Sequence, residues 1–361
     1  MTAARRRRGF GHIDLLIVII IIGVLIALLL PAIQAVRETA RRASCLAKMG
    51  QLAFAFHEMA GPLPPSCTVR RSPETGEIIW MDGWSWCVAT LPSLEQQALY
   101  DVLAIQREGP LEHLDEKDHT HTMALGMALP EFRCPSFAGE AWTDPDTKFE
   151  AITNYKAMGA THVESLNVAS VGPLSKNGLY GEKKDHPDGG IHPGSKLSYR
   201  DFAQDGTAHT ILLVETKEQY RARWTVGREA CLVGLPASEV GMTFEMPHGF
   251  IKHWRPKGWT PKHWGDDTTL PPEINHTYLG WDYELEPYND GGVSQGGVGI
   301  STFTDPKVTF YGPSSDHPGV VIHAFADGSA HTIRTEIDAA AYMFLITRQG
   351  NDPFPPEDVL W

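Results

Sequence analysis

His317, His323, Asp327 and Ser329 are the residue types that a hydrolase uses, and they lie close together in the chain. A Ser-His-Asp arrangement needs an exposed nucleophile on a strained turn, a histidine within hydrogen-bond reach, and an acid that orients it. Ser329 is not set in G-x-S-x-G, and Asp327-Gly328-Ser329 reads as an acidic-glycine turn joining two strands. No catalytic residue is therefore expected. Ligand chemistry is also present in Glu112 to His121, EHLDEKDHTH, and in His186 and His192 of DHPDGGIHPG. Imidazoles and carboxylates bind metals, yet both stretches are charged or turn-rich and read as solvated loops. The glycines at 291, 292, 296 and 297 lack the Lys-Ser/Thr that completes a phosphate cradle. No cofactor is called for; the acidity of the chain leaves calcium open, but no oxygen-ligand loop of recognised spacing occurs.

Five cysteines, Cys45, Cys67, Cys87, Cys134 and Cys231, make an odd count without C-x-x-C spacing, which excludes a zinc ribbon and a thioredoxin motif. In an oxidising compartment two pairs and one leftover thiol are expected. The favoured pairs are Cys45 with Cys134 and Cys67 with Cys87, although sequence does not settle connectivity. Trp254, Trp259, Trp264 and Trp281, with Tyr278, Tyr283 and Tyr288, punctuate a Pro- and Gly-rich region from Pro247 to Gly299. Their rings either form a glycan- or partner-stacking surface or pin a long insertion to the core.

The element that must carry all of this is N-terminal. Arg5 to Arg8 precede an apolar run from Leu15 to Leu30, interrupted only by Gly23 and closed by Pro31. At 1.5 Å per residue such a run reaches the lower edge of what crosses a hydrocarbon core of ~30 Å. Small residues suited to signal-peptide cleavage are missing after it. The dense arginine cluster ahead of the span places the C-terminal bulk outside the cytoplasm. The span is expected over about residues 13–33 of a helix running from 10 to 60. Ile33, Val36, Ala40, Ala43, Ala47, Gly50 and Phe54 form a stripe at helical spacing, suited to packing on the chain's own domain or on another subunit. Gly61-Pro62-Leu63-Pro64-Pro65 ends the helix.

GFGHIDLLIVIIIIGVLIALLLPAIQAVRETARR resembles the N-terminal methylation motif of type IV prepilins and type II secretion pseudopilins. The resemblance implies a leader over 1–9, cleavage by prepilin peptidase between Gly9 and Phe10, and methylation of Phe10. It sets Asp14 at the place of the family's glutamate and Pro31 at the place of its helix proline. Asp14 is then expected to pair with the terminal amine of a neighbouring subunit, since an acidic group in a lipid-embedded helix costs free energy unless partnered. Loss of the leader's four arginines takes the formal charge from −13 to −17. An ectodomain this acidic argues against a nucleic-acid partner.

Downstream, QLAFAFHEM, WSWCVATLPSLEQQALYD, PEFRCPS, TNYKAMGATH, DFAQDGTAHTILLVETKE and SSDHPGVVIHAFADGSAHTIRTEID occur in that order. Together they resemble a prepilin-like family abundant in planctomycete-type bacteria, whose ectodomain is catalogued as a domain of unknown function and under a solute-binding label. That family has HPGG where this chain has HPGV, a change that argues against a tight turn at Val320. The expected architecture is α+β, one long N-terminal helix packed on an antiparallel sheet domain with long loops over 61–361. Within it, Ile78 to Trp86 suits a strand and Leu91 to Leu103 a helix starting at Ser93. The two Asp-Gly-(Ser/Thr)-Ala-His-Thr strings suit turns, the first feeding a strand and the second closing a hairpin.

The expected function is that of a pilin-like or pseudopilin subunit of a type II secretion or type IV pilus-like filament, held in the inner membrane. Its partners would be prepilin peptidase and other pilin-like subunits. The first alternative is an anchored solute- or glycan-binding protein that does not assemble, and the second an anchored hydrolase.

Overall fold

The computed structural model describes residues 12–59, 61–71, 73–74, 78–80, 83–103, 123–143, 145–146, 150–160, 187–219, 222–234, 243–245, 253–255, 313–335, 337 and 339–349. Helix α1 runs unbroken from His12 to Glu58 with Pro31 inside it. It stops where Gly61, at φ 135°, takes a backbone conformation that a side chain would resist, and Pro62 follows. Two regimes divide this helix. From Leu15 to Val36 its large apolar side chains are 41–70% exposed, and the segment is apolar and long enough to cross a membrane. From Cys45 onward one face is buried.

That face is Cys45, Met49, Leu52, Ala53 and Phe56, a spacing of three and four that keeps the residues on one side of the helix. The small-residue stripe is not on it. Ile33, Val36, Ala40, Ala43, Ala47 and Phe54 are exposed, and only Gly50 lies near the domain, beside Ala330. The two sets differ by two residues in phase, about 200° around a helix, so they occupy opposite sides. The bulkier set wins the interior because it removes more apolar surface from water.

After α1 come β1 (Arg70–Arg71), β2 (Ile78–Trp80), α2 (Trp86–Thr90), α3 (Gln97–Leu103), β3 (Tyr155–Ala160), β4 (Ile211–Glu215), β5 (Cys231–Val233), β6 (Thr243–Glu245), β7 (His253–Arg255), β8 (Val320–Phe325), β9 (Ala330–Arg334) and α4 (Ala339–Ile346). Strands β1 and β2 pair with each other, as do β6 and β7. The expected strand from Ile78 to Trp86 is thus shorter, and Trp86 opens a helix. The helix expected over Leu91–Leu103 is split: Leu91–Leu94 make a 3-10 turn, Glu95 adopts φ 60°, and α3 starts only at Gln97. Pro92 at the start of that turn favours the tighter winding, and the left-handed Glu95 cannot propagate an α-helix.

The main sheet has the order β5-β3-β4-β8-β9. All its pairs are antiparallel except β3 with β5, because the chain leaves β4 and crosses to the far side of β3. Cross-strand pairing puts Tyr155 opposite Glu215, Ala157 opposite Leu213, and Leu213 opposite Ala324. Tyr155, Ala157, Leu213, Ile322 and Ala324 pack in one core with Cys45, Met49, Leu52 and Phe56. On the reverse face, His323 meets Tyr342 of α4. The sheet is therefore covered by α1 on one side and α4 on the other.

Both Asp-Gly turns form as expected. Gly206 and Gly328 have φ 94° and 89°, and the turns sit side by side, with the Asp327 amide donating to the Thr207 carbonyl at 3.0 Å. A turn also forms before Val320, against the expectation from HPGV. Gly319 alone carries the positive φ, 71°, so Val320 is free to begin β8.

Phe56 touches Trp86 edge-on at 5.6 Å, and Trp86 in turn meets Phe132 at 6.0 Å. Truncating Phe56 to alanine should cost ~3–5 kcal/mol, as for other fully buried aromatic side chains. Phe54→Ala, at a position 58% exposed, should cost little. Guanidinium unfolding of the two variants in detergent, followed by tryptophan fluorescence, measures the contrast.

Candidate functional site

Under the end of the buried face of α1 nearest its exposed apolar half lies a cluster of groups drawn from four distant segments. Cys45 comes from α1, Cys134 from the loop after the Pro130–Phe132 3-10 turn, Glu215 from the last position of β4, and His317 from the turn entering β8. All four are buried, and their ligand-capable atoms lie within 4.8 Å of one another.

Each arm is held by its own local structure. Cys134 is placed by Phe132, which is fully buried, and by Asn154, whose side-chain oxygen accepts the Cys134 amide at 3.1 Å. Asn154 also donates its own amide to the Phe132 carbonyl at 2.8 Å. Glu215 ends β4, and its carbonyl accepts the Ser314 amide at 3.0 Å, which brings the His317 turn alongside. Within that turn the His317 amide donates to Ser315 Oγ at 3.0 Å. Asp316 pairs with Lys217 at 3.0 Å and accepts the Ala138 amide at 2.9 Å. Arg42 and Lys48 reach from α1 to the carbonyls of Pro318 and Arg133.

Within the cluster, Cys134 Sγ is 3.4 Å from His317 Nε2, and Cys45 Sγ is 3.0 Å from the Tyr155 hydroxyl. His317 Nε2 is 3.9 Å from a Glu215 oxygen. The other ring nitrogen, Nδ1, lies 2.5 Å from Glu38 Oε1. Glu38 is two helical turns before Cys45 and also accepts from Ser136 Oγ at 3.0 Å. The second carboxylate oxygen of Glu215 is buried and lacks a hydrogen-bond partner.

Burial pushes the Cys45 thiol and the Glu215 carboxyl up, toward their protonated forms. Cys134 goes the other way, downward, because Cys45 hydrogen-bonds to its sulfur and His317 and Glu215 add to this against the cost of burial. Burial acts to lower His317, but Cys134 and Glu38 outweigh it and raise the imidazole. Glu38 falls below its ordinary range because the bonds from His317 and Ser136 overcome its desolvation. The four side chains therefore shift one another through direct contacts inside a buried pocket. Two sulfurs, an imidazole nitrogen and a carboxylate are the donor types of a soft divalent cation.

The structure leaves all five cysteines buried and free of disulfide bonds. Cys45 and Cys134 do come together in the cluster, with Tyr155 and His317 as further neighbours of their sulfurs. Cys67 and Cys87 are both buried, and Cys87 is hydrogen-bonded by Ser85 and Thr153. Asp14 lies in the first turns of α1, and Pro31 lies on its exposed part. Gly9, Phe10, the 112–121 stretch, His186, the glycines at 291–297 and most of the 247–299 aromatics lie outside the described residues. His192 is half-buried, with Nδ1 3.2 Å from the Pro193 carbonyl.

The hydrolase-like quartet is not assembled. Ser329 Oγ donates to Asp327 at 2.6 Å within the turn, while His323 points through the opposite face to Tyr342 at 2.8 Å. His317 alone of the four joins the cluster. Glu38, Tyr155 and Glu215 were not singled out by their residue types. A signal did exist: Cys134, Tyr155, Glu215 and His317 each fall inside one of the four downstream strings PEFRCPS to SSDHPG.

An apolar N-terminal helix carrying a mixed α+β sheet domain is the class of molecule these features define. A family model described as a protein of unknown function (DUF1559) matches residues 34–340, and the chain belongs to that family. No curated protein and no solved structure matches it.

His323 is fully buried, and burial holds its pKa down at about 3. The unfolded chain takes up a proton near pH 6.5 and the folded chain does not. The stability from this neutral imidazole is present above pH 6.5 and is lost as pH falls toward 3. Urea unfolding across that window should show a shallower acid-side slope for His323→Gln than for the parent.

Proposed function

We propose that this chain is a pilin-like structural subunit, anchored in the inner membrane with its sheet domain outside the cytoplasm. It assembles through α1 into a type II secretion or type IV pilus-like filament. The observation that carries this reading is the division of α1. Its membrane-suited half projects beyond the domain with every large apolar side chain exposed. Its second half hides one face in the sheet and leaves Ala40, Ala43 and Ala47 open on the other. Small residues at such spacing let a second helix approach closely.

In this reading prepilin peptidase cuts between Gly9 and Phe10, Asp14 meets the amine of the next subunit, and the chain performs no catalysis. The binding-protein alternative predicts a deep aromatic pocket. Among the described residues, a recess of about 550 Å³ beyond the end of α1 is lined by Met59, Pro62, Leu63, Val69, Ala89 and Lys196 among others, none of its described lining residues being aromatic.

Mass spectrometry of the N-terminal peptide from native membranes should find methylated Phe10, and Asp14→Ala should reduce cross-linked multimers several-fold without changing the amount of monomer. An intact Met1, or multimers unaffected by Asp14→Ala, would count against the proposal.

A further inference from the structure

We infer that Cys45, Cys134, His317 and Glu215 bind a zinc-type divalent cation, which fastens the stalk helix to the sheet domain.

The donors fit in kind and in place. Zinc in structural sites takes four ligands from cysteine, histidine and carboxylate in a tetrahedron, with metal-ligand bonds of about 2.0–2.3 Å. Such bonds place neighbouring ligand atoms roughly 3.3–3.8 Å apart. Cys134 Sγ and His317 Nε2 already stand 3.4 Å apart, and the whole set lies within 4.8 Å. Small side-chain shifts therefore close the shell. Two sulfurs select a soft ion and disfavour calcium or magnesium, which take oxygen ligands.

The surroundings match as well. A metal-binding histidine ordinarily donates its remote ring N–H to a carboxylate, which sets its tautomer and orientation. His317 does this through Nδ1 to Glu38, leaving Nε2 turned to the cluster. Glu38 is itself steadied by Ser136. Glu215 is 2% exposed, and one of its oxygens has no hydrogen-bond partner. A buried acceptor left unsatisfied is costly, and a cation at the centre of the cluster would satisfy it. The carboxylate of Glu38 is 24% exposed and marks the side by which an ion enters.

The consequence is mechanical. Cys45 is the first fully buried residue of α1 on the membrane side, and the other three ligands come from the loop after Phe132, from β4 and from the turn before β8. One ion thereby clamps the helix to the domain where force from the membrane segment first reaches it. This does not depend on filament assembly and would hold equally for a monomeric anchored protein.

The test uses the full chain, purified in detergent under reducing conditions and incubated with zinc or cobalt. Elemental analysis after desalting should find one zinc per chain, and the cobalt form should show thiolate-to-cobalt charge transfer with tetrahedral ligand-field bands. Cys134→Ser and His317→Ala should abolish stoichiometric binding, while Cys231→Ser leaves it intact. Should those variants fail to fold, Glu38→Gln still decides: as a positioning residue it should weaken zinc in a chelator competition by roughly 10- to 100-fold while the circular dichroism spectrum is kept. Zinc absent from the folded parent, affinity unmoved by Glu38→Gln, or a Cys45-Cys134 disulfide in metal-free protein from native membranes would overturn the inference.

Discussion

The structure depends on one contact: the Cys45, Met49, Leu52 and Phe56 face of α1 laid across the sheet. The strand face beneath it, with Ala157, Leu213, Ile322 and Ala324, has no other cover of comparable length among the described residues. Removing apolar surface of this extent from water is the main free-energy gain available to the domain, at about 25 cal/mol per Å². The same contact converts a greasy helix into a stalk. Among the described residues, the large apolar side chains from Leu15 to Val36 stay exposed, a surface suited to lipid or to another helix.

Against that apolar background the polar cluster is costly. Burying Glu215 and His317 takes ionisable groups out of water, and only mutual hydrogen bonding offsets the loss. Among the described residues, this polar cluster lies at the end of the interface nearest the exposed half of α1. Toward the other end, Phe56, Trp86, Phe132 and Trp224 form a continuous aromatic run. The aromatic end supplies adhesion, and the polar end supplies directional bonds between α1, the Cys134 loop and the β8 turn. Together they fix the rotation of the helix about its own axis. That rotation decides which face is left for a neighbour.

Local signals were legible where the chain's chemistry acts over a few residues. The apolar run, the stop at Gly61-Pro62 and both Asp-Gly turns could be read directly, because each rests on backbone angles or short-range periodicity. Periodicity alone could not choose between two stripes on α1. Ala40, Ala43 and Ala47 repeat as regularly as Cys45, Met49 and Leu52, and only the depth of the sheet's surface favours the larger set. The parallel placement of β5 and the break at Glu95 were hidden for a similar reason: both answer to where the chain must go next.

What the sequence determined by itself is a long apolar helix near the N-terminus, ending at a proline-rich boundary and followed by an α+β domain. These follow from composition and local order. The tertiary structure alone decided that Cys45, Cys134, Glu215 and His317 meet, and that Glu38 stands behind the histidine. Residues so far apart in the chain carry no mutual spacing rule, since their separation is set by strand pairing and helix docking, which act through space.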